Sequence, residues 1–98
     1  MILVLGSVLI RQGRYEEALA VCHEHVARSR KEPGCVAHAV HQDTENSLRM
    51  VFVEQWSDMA ALGAHFKVPA SGMFVKAIGA LASAPPEMAI YDAKRVGP

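Results

Sequence analysis

Residues Leu48-Arg49-Met50-Val51-Phe52-Val53-Glu54-Gln55-Trp56 are dominated by β-branched and aromatic side chains, and no Gly or Pro interrupts them. That is the composition of a strand. Alternation puts Leu48, Met50, Phe52, Glu54 and Trp56 on one face and Arg49, Val51, Val53 and Gln55 on the other. Both faces are largely apolar, so the strand must be covered on both sides. Glu54 sits within the greasier face, where a carboxylate needs a partner or a wet cavity. The stretch therefore predicts the centre of a sheet and the floor of a site.

The remaining elements follow from periodicity. Ile2 to Ile10 reads as a first strand, with Ile2, Val4, Gly6, Val8 and Ile10 on one face and Leu3, Leu5, Ser7 and Leu9 on the other. Tyr15, Ala18, Leu19, Cys22, His25, Val26 and Ser29 recur at steps of three and four. This is an amphipathic stripe on a helix from Tyr15 to Lys31, with Glu24 and Arg28 pointing away from it. Pro33-Gly34 stops that helix. Cys35 to Gln42 is a second strand, with Val36, His38, Val40 and Gln42 alternating against Cys35, Ala37, Ala39 and His41. Asp43 to Ser47 makes a polar hairpin loop. Ser57 is the expected N-cap of a helix over Asp58 to Lys67. Pro69 breaks this helix and opens another, which Pro85-Pro86 stops. Glu87 to Arg95 is a last strand.

The order strand, helix, strand, strand, broken helix, strand predicts an α+β, ferredoxin-like split βαβ fold. Four antiparallel strands carry helices on one face. The opposite face is apolar too, so a second copy is expected to pack its sheet against the first, giving a homodimer. The Gly13-Arg14-Tyr15 segment looks like the opening of a tetratricopeptide repeat, but nothing recurs about 34 residues later, as such a repeat requires.

At 98 residues the chain is read as one domain spanning 1–98. Its zero formal net charge, with the two signs mixed, argues against a nucleic-acid partner. The apolar start is too short to span a bilayer, and it lacks the positive region and cleavage site of a signal peptide. A cytoplasmic protein with no membrane association is expected. Cys22 and Cys35 fit neither a disulfide framework nor a paired metal spacing and are expected to act as small apolar residues.

Four stretches together resemble the antibiotic biosynthesis monooxygenase domain. They are Ser29-Arg30-Lys31-Glu32-Pro33-Gly34-Cys35, His41-Gln42-Asp43, Phe52-Val53-Glu54-Gln55-Trp56, and Ala61-Leu62 with His65. The resemblance covers nearly the whole chain and implies a dimeric α/β barrel. It implies a small phenolic or quinol-type substrate, oxidised with O2 and without a cofactor. A haem-degrading branch of the same fold carries a histidine after the helix break. Here that segment reads Ser71-Gly72-Met73-Phe74-Val75-Lys76, and Ser7 stands where that branch has asparagine. Haem oxygenation is not expected.

His65 is a candidate general base, because an imidazole titrates near neutral pH and the resemblance puts a histidine there. Glu54 could orient a histidine or hold a substrate hydroxyl. His25, on the inward stripe of the first helix, is a second base. Trp56, Phe52, Met50, His38, Phe66, Met73 and Phe74 are the expected substrate-binding walls, although the same residue types are also ordinary core. His23 and His25 diverge on a helix, and His38 and His41 lie on opposite strand faces. Neither pair has metal-ligand spacing, and no metal is expected. No dinucleotide fingerprint, phosphate loop or Ser-His-Asp constellation is present. Inward-facing Arg and Lys are scarce, which disfavours a phosphorylated substrate. Two alternatives stay open on the same scaffold: a non-oxidative isomerase or lyase-like enzyme, and a non-catalytic dimeric binding protein.

Overall fold

A computed structural model describes residues Met1–Pro98. The elements are β1 (Ile2–Leu9), α1 (Tyr15–Ser29), β2 (Cys35–Gln42), β3 (Arg49–Trp56), α2 (Met59–Lys67), α3 (Pro69–Leu81) and β4 (Glu87–Asp92). The strands form one sheet in the order β2-β3-β1-β4, antiparallel throughout. This is the ferredoxin-like arrangement. β1 and β3 are central, as two-sided apolar strands must be. No helix is long and apolar enough to cross a membrane.

The helix-facing side of the sheet is buried as the alternation requires. Ile2, Val4, Val8, Met50 and Trp56 are all buried. They divide into two apolar clusters. One gathers Val8, Ile10, Cys22, Met50, Ile78 and Leu81, and the other Ile2, Val4, Trp56 and Leu62. The Cys22 thiol contacts Met50 Sδ at 3.7 Å, and burial pushes its pKa up to about 12. It packs as a small apolar group. The other sheet face is bare. There Leu5 pairs with Val53, and Leu5 and Leu9 remain exposed.

Several element ends differ from expectation, each for a local reason. α1 stops at Ser29, where the next residues turn back through Lys31 N–H to Arg28 O and Glu32 N–H to Ser29 O. The N-cap of α2 is Asp58, not Ser57: the Asp58 side chain accepts the Ala61 N–H at 2.8 Å. α3 ends at Leu81, ahead of Pro85. Ala82 turns extended and bridges Ile10, and Ser83 N–H donates to Leu9 O, so sheet bonding replaces the last helical turn. β4 ends at Asp92 because its partner β1 begins at Ile2.

In β2 the strict alternation fails. A register shift between Cys35 and Ala37 makes Val36 an extra residue. Cys35 pairs with Trp56 and His38 with Glu54, so both lie on the helix side although three positions apart. Val36 is left 60% exposed.

Candidate functional site

Three separate elements each deliver one buried histidine to the same point. His25 comes from the inward stripe of α1, His38 from β2 opposite Glu54, and His65 from the last turn of α2. Their ring centroids are 5.2 to 5.8 Å apart. The trio sits between the two apolar clusters. His65 lies 4.6 Å from the Trp56 ring, and His25 stacks on Phe74 at 3.8 Å with the planes 7° from parallel.

Each imidazole has a different polar environment. Nδ1 of His65 donates to Glu32 Oε1 at 2.8 Å, so Nε2 is the ring nitrogen left for another partner. Glu32 is held there by the α1–β2 connection. Gly34 stands in that connection at φ +82°, and its carbonyl accepts the Ser57 N–H. Any Cβ on it would collide with Ala61 and Ser57 Oγ. His25 Nδ1 accepts from the Arg28 guanidinium at 3.0 Å, so its ring proton resides on Nε2. Burial, then the neighbouring His38, His65 and Arg28, depress the His25 pKa to about 3, against a smaller upward pull from Glu54. His25 is neutral near pH 7. His38 has no hydrogen-bond partner at either ring nitrogen. Its Nε2 lies 3.3 Å from Glu54 Oε1, close enough for an ion pair but outside hydrogen-bond alignment.

Glu54 accepts the Trp56 indole N–H at 2.9 Å. Burial is the largest single influence on its carboxyl and raises its pKa. The contacts with His38, the Trp56 bond and the nearby His65 ring together outweigh burial and hold the carboxyl below its ordinary value. It is an ionised carboxylate with one satisfied oxygen.

A cavity of about 340 Å³ opens in front of Glu54 and His25. Its walls are Val8, Phe52, Phe74, Val75, Ile78 and Met88, with Ser7 and Glu87 toward the β4 rim. Among the expected site residues, Glu54, His25, Phe52 and Phe74 line it. His38, His65 and Trp56 stand behind them and do not line it. Met50 is core, packed on Cys22. Met73 and Phe66 lie elsewhere: Met73 lines an outer groove between α1 and α3, and Phe66 is half-exposed on α2. They stand one step off the helix positions that face the sheet.

Two residues of the site were not among the expected site residues. Arg28, expected on the outer face of α1, instead folds its guanidinium back to His25 and donates to Ala70 O at 3.2 Å, tying α1 to the first turn of α3. Glu32 lies in the connecting loop, and only its tertiary partner, 33 positions away, marks it. The expectation of no metal rests on local spacing, which cannot register three histidines drawn from three elements.

Residues 1–77 match the family profile described as antibiotic biosynthesis monooxygenase. The chain is 32% identical over 90 residues to the uncharacterized protein sll1783 of Synechocystis sp., covering 92% of this chain and 61% of that one. It thus spans about three-fifths of that relative's length. Its structure is similar to a crystal structure of an antibiotic biosynthesis monooxygenase, with TM-score 0.90, 27% identity and coverage of 97% and 100% of the two chains. A conserved protein of Methanosarcina mazei Go1 shares the fold at TM-score 0.91 and 22% identity, over 95% and 92% of the chains. With four-fifths of its length inside the family profile and a fold common to both solved neighbours, the chain belongs to the antibiotic biosynthesis monooxygenase family.

Proposed function

We propose that this protein is a monooxygenase that oxidises a small phenolic or quinol-type aromatic substrate with O2. The observation that carries the reading is the cavity: an aromatic and aliphatic chamber closed at one end by an ionised carboxylate and a neutral imidazole. A planar ring fits against Phe52 and Phe74, and its hydroxyl meets Glu54 and His25. Glu54 accepts the hydroxyl hydrogen bond, and the Nε2 proton of His25 makes that ring a donor to the developing oxyanion. The histidine cluster behind Glu54 takes up the proton, with His65 Nε2 held as an open acceptor by Glu32.

The phenolate so formed is electron-rich enough to transfer an electron to O2 in the apolar chamber. Radical recombination and loss of water then give the quinone. One oxygen atom ends in the product and the other in water, so no external reductant is consumed. The protein's part is to exclude water, orient the ring and manage the proton.

We further propose that the chain works as a homodimer joined through its sheets. The apolar face with exposed Leu5 and Leu9 and half-buried Val53 supports this, since a single copy leaves it uncovered.

The test is O2 uptake by metal-stripped protein over a panel of quinols and anthrones, with quinone formation followed by absorbance. Glu54→Gln keeps the indole hydrogen bond but removes the charge, and is expected to lower kcat by about 10²-fold. No uptake across the panel would refute the reading. Turnover that persists under argon would replace it with a non-oxidative isomerase on the same residues.

A further inference from the structure

We propose that His25, His38 and His65 form a binding site for one divalent first-row transition-metal ion of the zinc type, each imidazole giving one ring nitrogen. The inference stands on the histidine cluster and not on the oxygenation chemistry above, which belongs to the metal-free state: a bound ion occupies the ring nitrogens that take up the proton there.

Ligand atoms of the three rings lie within 4.8 Å of one another, and all three residues are buried. A tetrahedral ion with bonds of about 2.0–2.1 Å needs its nitrogens about 3.3 Å apart, so side-chain rotations closing the gaps by up to about 1.5 Å complete the site. The ligand set is three imidazoles with a fourth position open, the pattern of catalytic rather than structural zinc. Imidazole suits zinc, copper, iron and nickel ions alike.

Two further observations point to an ion. Buried polar atoms are normally partnered, yet His38 Nδ1 has no partner and His38 Nε2 has only the poorly aligned 3.3 Å contact with Glu54 Oε1. His65 carries the carboxylate partner that orients metal-bound imidazoles, supplied by Glu32 through Nδ1, which leaves Nε2 aimed for coordination. The carboxylates of Glu32 and Glu54 stand directly against the His65 and His38 rings, while the guanidiniums of Arg28 and Arg30 reach His25 and the His38 carbonyl.

Arg28 opposes the ion in a specific way. Its guanidinium holds the lone pair of His25 Nδ1 at 3.0 Å. Coordination through Nδ1 displaces that bond, and coordination through Nε2 moves the ring proton to Nδ1 and breaks it as well. Arg28 is therefore a gate on loading, and its removal should tighten binding. A purely structural arginine would not behave so.

The experiment uses the full chain, stripped of metal, titrated with Zn²⁺ by calorimetry. Histidine ring nitrogens are followed by long-range ¹H–¹⁵N spectra of the wild type. The expected result is one ion per chain with a Kd of about 1 μM or tighter. Resonances of His25, His38 and His65 should shift while those of exposed His23 and His41 stay. Co²⁺ should give the visible absorption of a tetrahedral complex. His38→Gln and His65→Gln should weaken binding at least about 100-fold, His23→Gln and His41→Gln should leave it unchanged, and Arg28→Met should strengthen it about 10-fold. The proposal is overturned if the wild-type spectra show no shift at the three buried rings, or if shifts are confined to His23 and His41. Because the spectra use wild-type protein, neither outcome depends on a variant folding. Loss of binding with O2 uptake intact removes the ion and leaves the oxygenation reading standing; the reverse removes only the latter.

Discussion

Glu32 and His65 are joined by a 2.8 Å hydrogen bond between a loop carboxylate and a helix imidazole, across 33 positions of chain. The bond fixes which nitrogen of His65 faces its neighbours. Glu32→Ala leaves a buried N–H without an acceptor, a loss of about 1–3 kcal/mol. Urea denaturation should show that drop. The tautomer released by the substitution should also appear in the ring ¹⁵N shifts of His65, which a merely looser loop would not alter.

Gly34 sets the position of that loop. Its positive φ costs a non-glycine residue about 1–2 kcal/mol, and a Cβ there meets Ala61 and Ser57 as well. Gly34→Ala should lower Tm by about 4–8 °C or more for a domain of this size. A shift within error would mean that the α1–β2 connection is not packed against the start of α2.

The four-stranded sheet, its order and its inner face were legible in the sequence because they rest on period-two and period-3.6 patterns. Ile2, Val4, Val8, Met50 and Trp56 are buried as the alternation requires. The ends were less legible, since Ala82 and Ser83 leave the helix for Ile10 and Leu9, partners over 70 residues away at the end of the first strand. The site was half legible. Glu54 and His25 stood out as ionisable groups on apolar faces. Arg28 did not, because a long flexible side chain at the edge of a stripe can fold back to either side. Nor did the meeting of His38 with His25 and His65, which depends on three elements packing together.

The bare sheet face yields its own test. Val53 pairs with Leu5 on one side and Ala39 on the other, at the middle of the uncovered surface. Val53→Lys places a charge there and should convert a dimer into a monomer in sedimentation equilibrium, with the helix-side core intact by circular dichroism. A wild-type chain already monomeric at micromolar concentration would remove the basis for the assembly.

The β2–β3 turn carries a pH-dependent clasp. Asp43 accepts the Glu45 N–H and pairs with Arg49 at 3.0 Å, and these interactions, the backbone bond first, hold its carboxyl below the ordinary aspartate value. A depressed carboxyl contributes stability above its unfolded pKa of about 3.9 and loses it as pH falls through the lower folded value. The stability difference between wild type and Asp43→Asn should therefore be present near pH 7 and vanish on acidification through that window. The pair is still well accessible to water, so screening keeps the difference small.

The extra residue at Val36 has a consequence for how this strand can vary in length. It is slack: a position counted by neither neighbour, between a turn anchored through Gly34 and an inward row that begins at His38. Deleting Val36 would straighten β2 and turn no later side chain over. Deleting Ala37 would use up the same slack. One residue lost from Ala39 onward instead inverts every position between the gap and the hairpin. Chains of this kind can therefore differ in length by one at the mouth of β2 and keep His38 and Val40 both facing inward, and nowhere else along the strand.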